Sequence, residues 1–194
     1  VVRQVNETAQ LARIVHAENV YLAKVDSTHP LRLQSEVGRR LSAHATGVGK
    51  ALLAQLGNAE VIERFGAGAL PAYTANTIAT TDALLDELEL IRQRGFAIDN
   101  EEYTPGVFCI AVPVFEGSGK ASVAVSVSVP TTRAQPDQLA TILSVIAAAS
   151  LQLSERCGVA TSAPSLTALA SPKQARKAID TLIGSGRYAL PFAS

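Results

Sequence analysis

The chain has 194 residues, of which 47% are apolar and 18% charged, so a disordered polypeptide is excluded for most of its length. Because 17 Lys and Arg balance 17 Asp and Glu, the sequence argues against a broad basic face that binds nucleic acid or an anionic membrane. Two cysteines, Cys109 and Cys157, are too few for a disulfide framework and favour a reducing, cytoplasmic compartment.

No apolar run approaches the roughly 18 residues that a membrane span needs, and no signal-peptide pattern is present. The sequence begins with Val1 and contains no methionine, which predicts a fragment of a longer protein, with N-terminal processing or a processed tag as the competing explanation. Residues 1–158 are expected to form one domain. Residues 159–194, rich in Ser, Ala, Thr and Pro up to Pro172, are expected to form a linker and a short amphipathic tail.

The first half of the chain mixes hairpin, strand and helix signals. Apolar periodicity and turn residues predict a short lead-in helix and then a hairpin, whose strands 11–15 and 20–25 flank a four-residue loop. A half-buried strand is predicted over 30–37 and is broken at 38–40. Two helices are predicted next, over 47–56 and 58–65. Thr46 is the expected N-cap of the first of these helices and Gly57 its C′ residue.

The second half begins with a long helix that opens at Thr80 and ends before Gly95. The same signals then predict a strand over 96–99, an acidic loop over 100–106, a hairpin over 106–130, a helix from Pro136 to about Arg156, and a tail helix over 172–183. Adjacent hairpins imply antiparallel pairing and the helices are clustered, so the fold class is α+β, an antiparallel sheet with helices on its faces.

The hairpin over 106–130 has two unlike faces. Its second strand alternates between a valine face and a small, hydroxylated face, namely Val123, Val125, Val127 and Val129 against Ala124, Ser126 and Ser128. The valines are expected to face the core. The two serines lie about 7 Å apart along the strand and suit either the floor of a pocket for a small acid or a solvent-exposed face.

Cys109 is expected to lie on the face of its strand that is opposite to the bulky apolar side chains. If the register of the hairpin places the small faces of its two strands side by side, Cys109 lies beside Ser126 and Ser128. It is either a packed, inert thiol or the nucleophile of a small hydrolase, which would need a neighbouring histidine. Asp99 ends an apolar run and is expected to face inward, whereas Glu101 and Glu102 are expected to lie in a solvated loop.

Two further motifs exclude common chemistries. The segment Gly47-Val48-Gly49-Lys50 resembles the end of a phosphate loop but lacks the upstream glycine and the Ser or Thr after the lysine, so nucleotide binding is rejected. The first-turn amides of Gly47 and Val48 remain able to meet a small carboxylate or water. The three histidines show no metal spacing, and no metal or cofactor is expected.

Taken together, the segments resemble the C-terminal effector-binding domain of the IclR family of bacterial transcription regulators. The matching stretches are VNETAQLARIV, VYLAKVDSTHPLRL, VGRRLSAHATGVGKALLA, RGFAIDNEEYTPGVFCIAVPVF and VAVSVSVP, in the order and spacing of the family over residues 1–158. The resemblance implies a GAF-like fold with a curved antiparallel sheet, no enzymatic activity, and a small organic acid or related metabolite as the effector.

The resemblance also implies homodimers or homotetramers, and DNA binding through an N-terminal winged helix-turn-helix that this sequence lacks. It implies a pocket with Leu33 and Leu41 as the apolar wall and the amides of Gly47 and Val48 on the ligand's carboxylate. The remaining polar contacts would come from Asp99, Cys109, Ser126 and Ser128. The competing hypotheses are the Cys109-dependent hydrolase and a pure dimerisation module whose serine face is exposed.

Overall fold

A computed structural model describes residues 1–30, 36–160, 163–188 and 190. Six strands are formed: β1 (Thr8–Val15), β2 (Glu18–Val25), β3 (Arg40–Ser42), β4 (Ala97–Asn100), β5 (Val107–Phe115) and β6 (Ala121–Pro130). Seven α-helices accompany them within the described residues: α1 (Val2–Val5), α2 (Gly47–Leu53), α3 (Asn58–Phe65), α4 (Thr81–Arg94), α5 (Pro136–Arg156), α6 (Pro164–Leu169) and α7 (Pro172–Gly184).

The strands form one antiparallel sheet in the order β3-β2-β1-β6-β5-β4. The N-terminal hairpin joins the later one through β1 and β6, where Gln10 pairs with Ser126 and Thr8 with Ser128. The predicted α+β class, with a curved antiparallel sheet flanked by helices, is confirmed.

Helices cover both faces of the sheet. The valine face of β6 packs against α5, α6 and α7 in one apolar cluster, which includes Phe108, Ile110 and Ile142. The opposite face carries small residues, among them Ala111 and Ala124, and packs against α2 and α4 in a second cluster. Because the small face lets a helix lie close to the sheet, α2 is placed directly over the centre of β5 and β6.

The start of α2 is fixed by two local contacts. Thr46 is its N-cap, as predicted, and the Thr46 hydroxyl accepts a hydrogen bond from the Gly49 amide at 3.2 Å. Gly49 lies against the preceding 3₁₀ turn Ala43–Ala45, and a Cβ at Gly49 would be 2.1 Å from the Ala43 carbonyl oxygen. Only glycine fits this approach, which holds α2 against the turn that precedes it.

Several predicted boundaries differ from the structure. The first hairpin turns in two residues, with His16 at φ 55°. Helix α2 ends at Leu53. Gly57 is the N-cap of α3 and not the C′ residue of α2. The cause lies in tertiary contacts, since the Arg92 guanidinium donates to the carbonyl oxygens of Ala54 and Leu56 at 2.8 and 2.9 Å.

The predicted strand over 30–37 lies largely outside the described residues, and its described end, Val37, is in a turn. Arg40 was expected to be part of a break, but it begins β3. There it pairs with Val20, and its guanidinium donates to Glu18 at 2.8 Å. The break that Gly38 signals is present as a turn with φ 85° at this glycine, and strand pairing begins two residues later.

The segment after Gly158 is not a plain linker, because it contains α6 as well as the predicted tail helix α7. Leu166, Leu169, Ile179 and Leu182 are buried in the same apolar cluster as α5. The apolar residues recur at helical spacing in this Ser- and Ala-rich stretch, and α5 supplies the surface that they cover. Helix α5 is long and apolar enough to cross a membrane by composition alone, but half of its most apolar window is buried inside the molecule, as in a core helix.

We expect Gly49→Ala to destabilise the fold by about 3 kcal/mol or more, although alanine is the better helix former, because the added methyl group would overlap Ala43. Urea unfolding followed by circular dichroism measures the change. Gly57→Ala is the matched control, since a Cβ there meets nothing within 4 Å. Equal stabilities for the two variants would contradict the close approach.

Candidate functional site

The candidate site is the polar face of the sheet beneath the start of α2. The register of β5 and β6 sets Cys109 opposite Ser128 and Ala111 opposite Ser126, so small residues share one face. The Cys109 sulfur lies 3.0 Å from the Ser128 hydroxyl oxygen. Ser126 and Ser128 are 3% and 2% exposed, so this face is not the exposed surface of a pure dimerisation module.

Gln10 extends the polar face onto β1, and it was not predicted from the sequence. Its Oε1 accepts hydrogen bonds from Ser126 at 3.1 Å and from Ser128 at 3.2 Å. Gln10 is 2% exposed, and its Nε2 has no hydrogen-bond partner among the described residues. A buried amide donor without an acceptor costs free energy, and a bound acceptor would remove that cost.

The first turn of α2 lies directly over this face. A Cβ placed on Gly47 would be 3.4 Å from the Ala111 Cβ, 3.6 Å from the Cys109 Cβ and 3.7 Å from the Asp99 amide nitrogen. The amides of Gly47 and Val48 have no intrahelical acceptor, because both residues lie in the first turn of α2. Val48 and Leu41 are buried together in the apolar cluster of this face. Leu33, the other predicted wall residue, lies outside the described residues.

Asp99 closes the face on the β4 side, where it pairs with Cys109. Its side chain is directed inward, as predicted, and the residue is 5% exposed. Burial, followed by the charge of the nearby Glu102, raises the pKa of Asp99 to about 8. The carboxyl group of Asp99 therefore keeps its proton to a higher pH than an ordinary aspartate, and in that form it can act as a donor.

Glu102 is buried, and the expectation that it lies in a solvated loop is wrong. Both of its carboxylate oxygens lie 2.5 Å from Lys50 Nζ, and the two side chains are 5% and 0% exposed. Burial raises the pKa of Glu102, and the Lys50 ammonium opposes that rise. The Glu102 amide donates to Asp99 Oδ1 at 2.8 Å, so this ion pair adjoins the site. Glu101 instead turns back, with φ 57°, and accepts from the Gly106 amide.

Tyr21 is a second residue that the sequence did not single out. It lies on β2 opposite Ala12 and is 7% exposed. Burial raises the pKa of its hydroxyl, and the groups of Cys109 and Asp99 add to that rise. Tyr21 is buried in the apolar cluster of this face, and its hydroxyl lies close enough to Cys109 and Asp99 for their ionisation to affect its own.

Cys109 does not have the surroundings of a nucleophile. Burial and the nearby Asp99 raise the pKa of its thiol, whereas a catalytic cysteine needs a lowered pKa and a base. Among the described residues, the thiol contacts the hydroxyl of Ser128. His44 is bonded elsewhere, with its Nε2 2.9 Å from the Pro71 carbonyl oxygen. His44 is therefore not placed to act as the general base that the hydrolase hypothesis requires beside Cys109.

The family model for the bacterial transcriptional regulator IclR C-terminal region matches residues 1–155. The chain belongs to the IclR family. The KdgR regulator of Dickeya chrysanthemi is 38% identical over 152 residues, which cover 78% of this chain and 50% of that protein. The chain therefore spans about half the length of the curated relatives that it matches. These relatives are transcriptional regulators and not enzymes.

Solved structures of the family share the fold. The C-terminal domain of KdgR from Escherichia coli is 34% identical with a TM-score of 0.73, and the match covers 81% of this chain and 91% of that one. The inducer-binding domain of the PobR transcription factor from Acinetobacter, a double mutant in complex with 3-hydroxybenzoic acid, is 30% identical with a TM-score of 0.68. That match covers 78% of this chain and 90% of that one.

The buried pair of Lys50 and Glu102 should be sensitive to the loss of either partner. We expect Lys50→Met and Glu102→Gln each to cost about 3–5 kcal/mol of unfolding free energy, because the first leaves an uncompensated carboxylate and the second an uncompensated ammonium. The double variant should cost much less than the sum, as a double-mutant cycle by urea unfolding would measure.

The exposed bridge between Arg40 and Glu18, with side chains 49% and 44% exposed, is the matched control. Arg40→Gln should cost less than about 1 kcal/mol. Additive losses at positions 50 and 102 would contradict the direct pairing.

Asp99 should make stability depend on pH. Its pKa is raised from 3.8 in the reference state to about 8, so between these values the folded protein holds a proton that the unfolded chain has lost. Stability should therefore fall as pH rises from about 4 to 8, by at most about 1.4 kcal/mol per pH unit, the value for one proton. Asp99→Asn should remove this slope.

Unfolding free energies at pH 5, 6, 7 and 8 measure the difference between the two proteins. Asp86→Asn, on the exposed side of α4, is the control for the same chemical change. A constant difference between wild type and Asp99→Asn over this range would mean that Asp99 holds no extra proton in the folded protein.

Proposed function

We propose that residues 1–158 form the effector-binding domain of a cytoplasmic transcription regulator, and that the effector is a small organic acid or a related metabolite. The observation that carries the proposal is the buried polar face of Gln10, Ser126 and Ser128, with its unpartnered amide donor. Burying so many polar groups beneath a helix is costly unless partners satisfy them. A ligand with several oxygen atoms would supply the missing acceptor.

A carboxylic acid suits the charges of this face. The amides of Gly47 and Val48 would hold one end of the acid, in agreement with the resemblance noted above. Asp99 in its protonated form donates to the ligand and does not repel it. Cys109, Ser126 and Ser128 would contact the body of the ligand, with Leu41 and Leu33 as the apolar wall. The acid bound by the PobR neighbour belongs to the same chemical class.

In this proposal, effector binding alters DNA binding by an N-terminal winged helix-turn-helix that lies outside this sequence, as repressor or activator. The effector can shift the regulator only by its difference in affinity for the two conformations. The domain would also hold the regulator together as a homodimer or homotetramer, which light scattering of the purified fragment measures.

A thermal-shift screen against small aliphatic, hydroxy and aromatic acids, including 3-hydroxybenzoic acid, tests the proposal. An acid at 100 times its Kd should stabilise the protein by about 2.7 kcal/mol. The double variant Ser126→Ala/Ser128→Ala should bind that acid with about ten- to hundredfold lower affinity, since two hydrogen bonds are lost. Isothermal titration calorimetry gives both affinities.

Ser122→Ala is the matched control, because Ser122 lies on the same strand but is exposed and bonds to Glu116. Unchanged affinity in the double variant would place the ligand elsewhere in the molecule. Stabilisation by none of the acids would contradict the proposed effector class, while the family assignment would stand on the sequence match.

A further inference from the structure

The tail returns to the core after α7 through Tyr188, which lies against α4. The Tyr188 hydroxyl donates to Glu87 Oε2 at 2.8 Å, and Arg94 Nη1 lies 2.5 Å from the same hydroxyl. Arg94 also donates to Glu87 Oε1 at 2.7 Å and has its guanidinium 5.5 Å from the centre of the Tyr188 ring. Glu87 is 3% exposed, so this cluster is anchored on a buried residue of α4.

Glu87 and Tyr188 also line a polar cavity of about 350 Å³ that is partly open to solvent. Its outer wall is made by Glu87, Arg187 and Tyr188, and its inner wall by Lys50, Asn100 and Glu102. The inner wall is therefore the buried ion pair that adjoins Asp99. The charge of Glu87 also acts on Glu102 across the cavity, since it raises the pKa of Glu102 further.

Besides the ion pair between Lys50 and Glu102, the loop that carries Glu102 is held by threonine hydroxyls from the segment before α4. The hydroxyls of Thr74 and Thr77 donate to the carbonyl oxygens of Glu101 and Glu102, both at 2.6 Å. The cavity separates the opposite side of the loop from α4. If water filled the cavity freely, it would compete with Lys50 for the Glu102 carboxylate and loosen the loop.

We propose that Arg187 and Tyr188 form a latch over one side of this cavity, which limits the entry of water and thereby keeps the end of β4 and its loop, with Asp99 and Glu102, in one arrangement. The latch belongs to the part of the chain after residue 155, which the family model does not match. The tail would then set the stability of one wall of the effector site without touching the effector. The inference does not depend on the identity of any ligand.

Hydrogen–deuterium exchange of the whole chain without ligand tests the latch. Tyr188→Phe keeps the ring and removes the hydroxyl's hydrogen bonds, and Tyr188→Ala removes both. In Tyr188→Phe we expect about tenfold faster exchange of amides over residues 99–102, the effect of losing a hydrogen bond to a charged group on a local opening. Tyr188→Ala should exchange at least as fast, and β6 should be unchanged in both.

Arg176→Gln is the matched control. Arg176 forms ion pairs with Asp137 of α5 and with Asp180 of its own helix, and it does not line the cavity. It should leave exchange over 99–102 at the wild-type rate. Wild-type exchange over 99–102 in Tyr188→Ala would overturn the proposal. Faster exchange that includes β6 in both Tyr188 variants would also overturn it, since the tail would then support the core as a whole.

Discussion

The close approach of α2 to the sheet is the constraint on which the site depends. A Cβ at Gly47 would already touch Ala111 and Cys109, and the small side chains of β5 and β6 leave the helix room to lie this close to the sheet. Small residues bring little apolar area, so this layer gains less from burial than the valine face does. The polar groups that the approach encloses must therefore be satisfied by one another or by a ligand.

Lys50 shows how the approach affects electrostatics. Its place in the first turns of α2 drives the ammonium into the interior, where Glu102 is the partner that makes burial tolerable. The Glu102 charge in turn raises the pKa of Asp99. Burial is the larger cause of that rise and the Lys50 ammonium opposes it, so the ion pair and the raised pKa of Asp99 belong to one buried arrangement.

The sequence predicts local features well and distant ones poorly. The alternation of β6, the caps at Thr46 and Thr80, and the bounds of α5 follow from neighbouring residues, and the structure agrees. Gln10 and Tyr21 could not be predicted as site residues from the sequence. The pairing of β1 with β6 joins segments more than 100 residues apart, and no local signal sets that register. Glu102 escaped because an acidic loop is normally solvated, and only the position of Lys50 makes it a core residue.

The two faces of the sheet have different physical roles, yet they share the same strands. Tight apolar packing on the valine face, including the tail helices, fixes β5 and β6, and a fixed sheet is what allows hydroxyl, thiol and amide groups on the other face to keep their spacing. Ligand binding that shifts α2 or the loop after β4 would therefore move those elements against a rigid floor. A sensor needs this asymmetry, because a ligand can bias two arrangements only where one part of its site moves and the other stays in place.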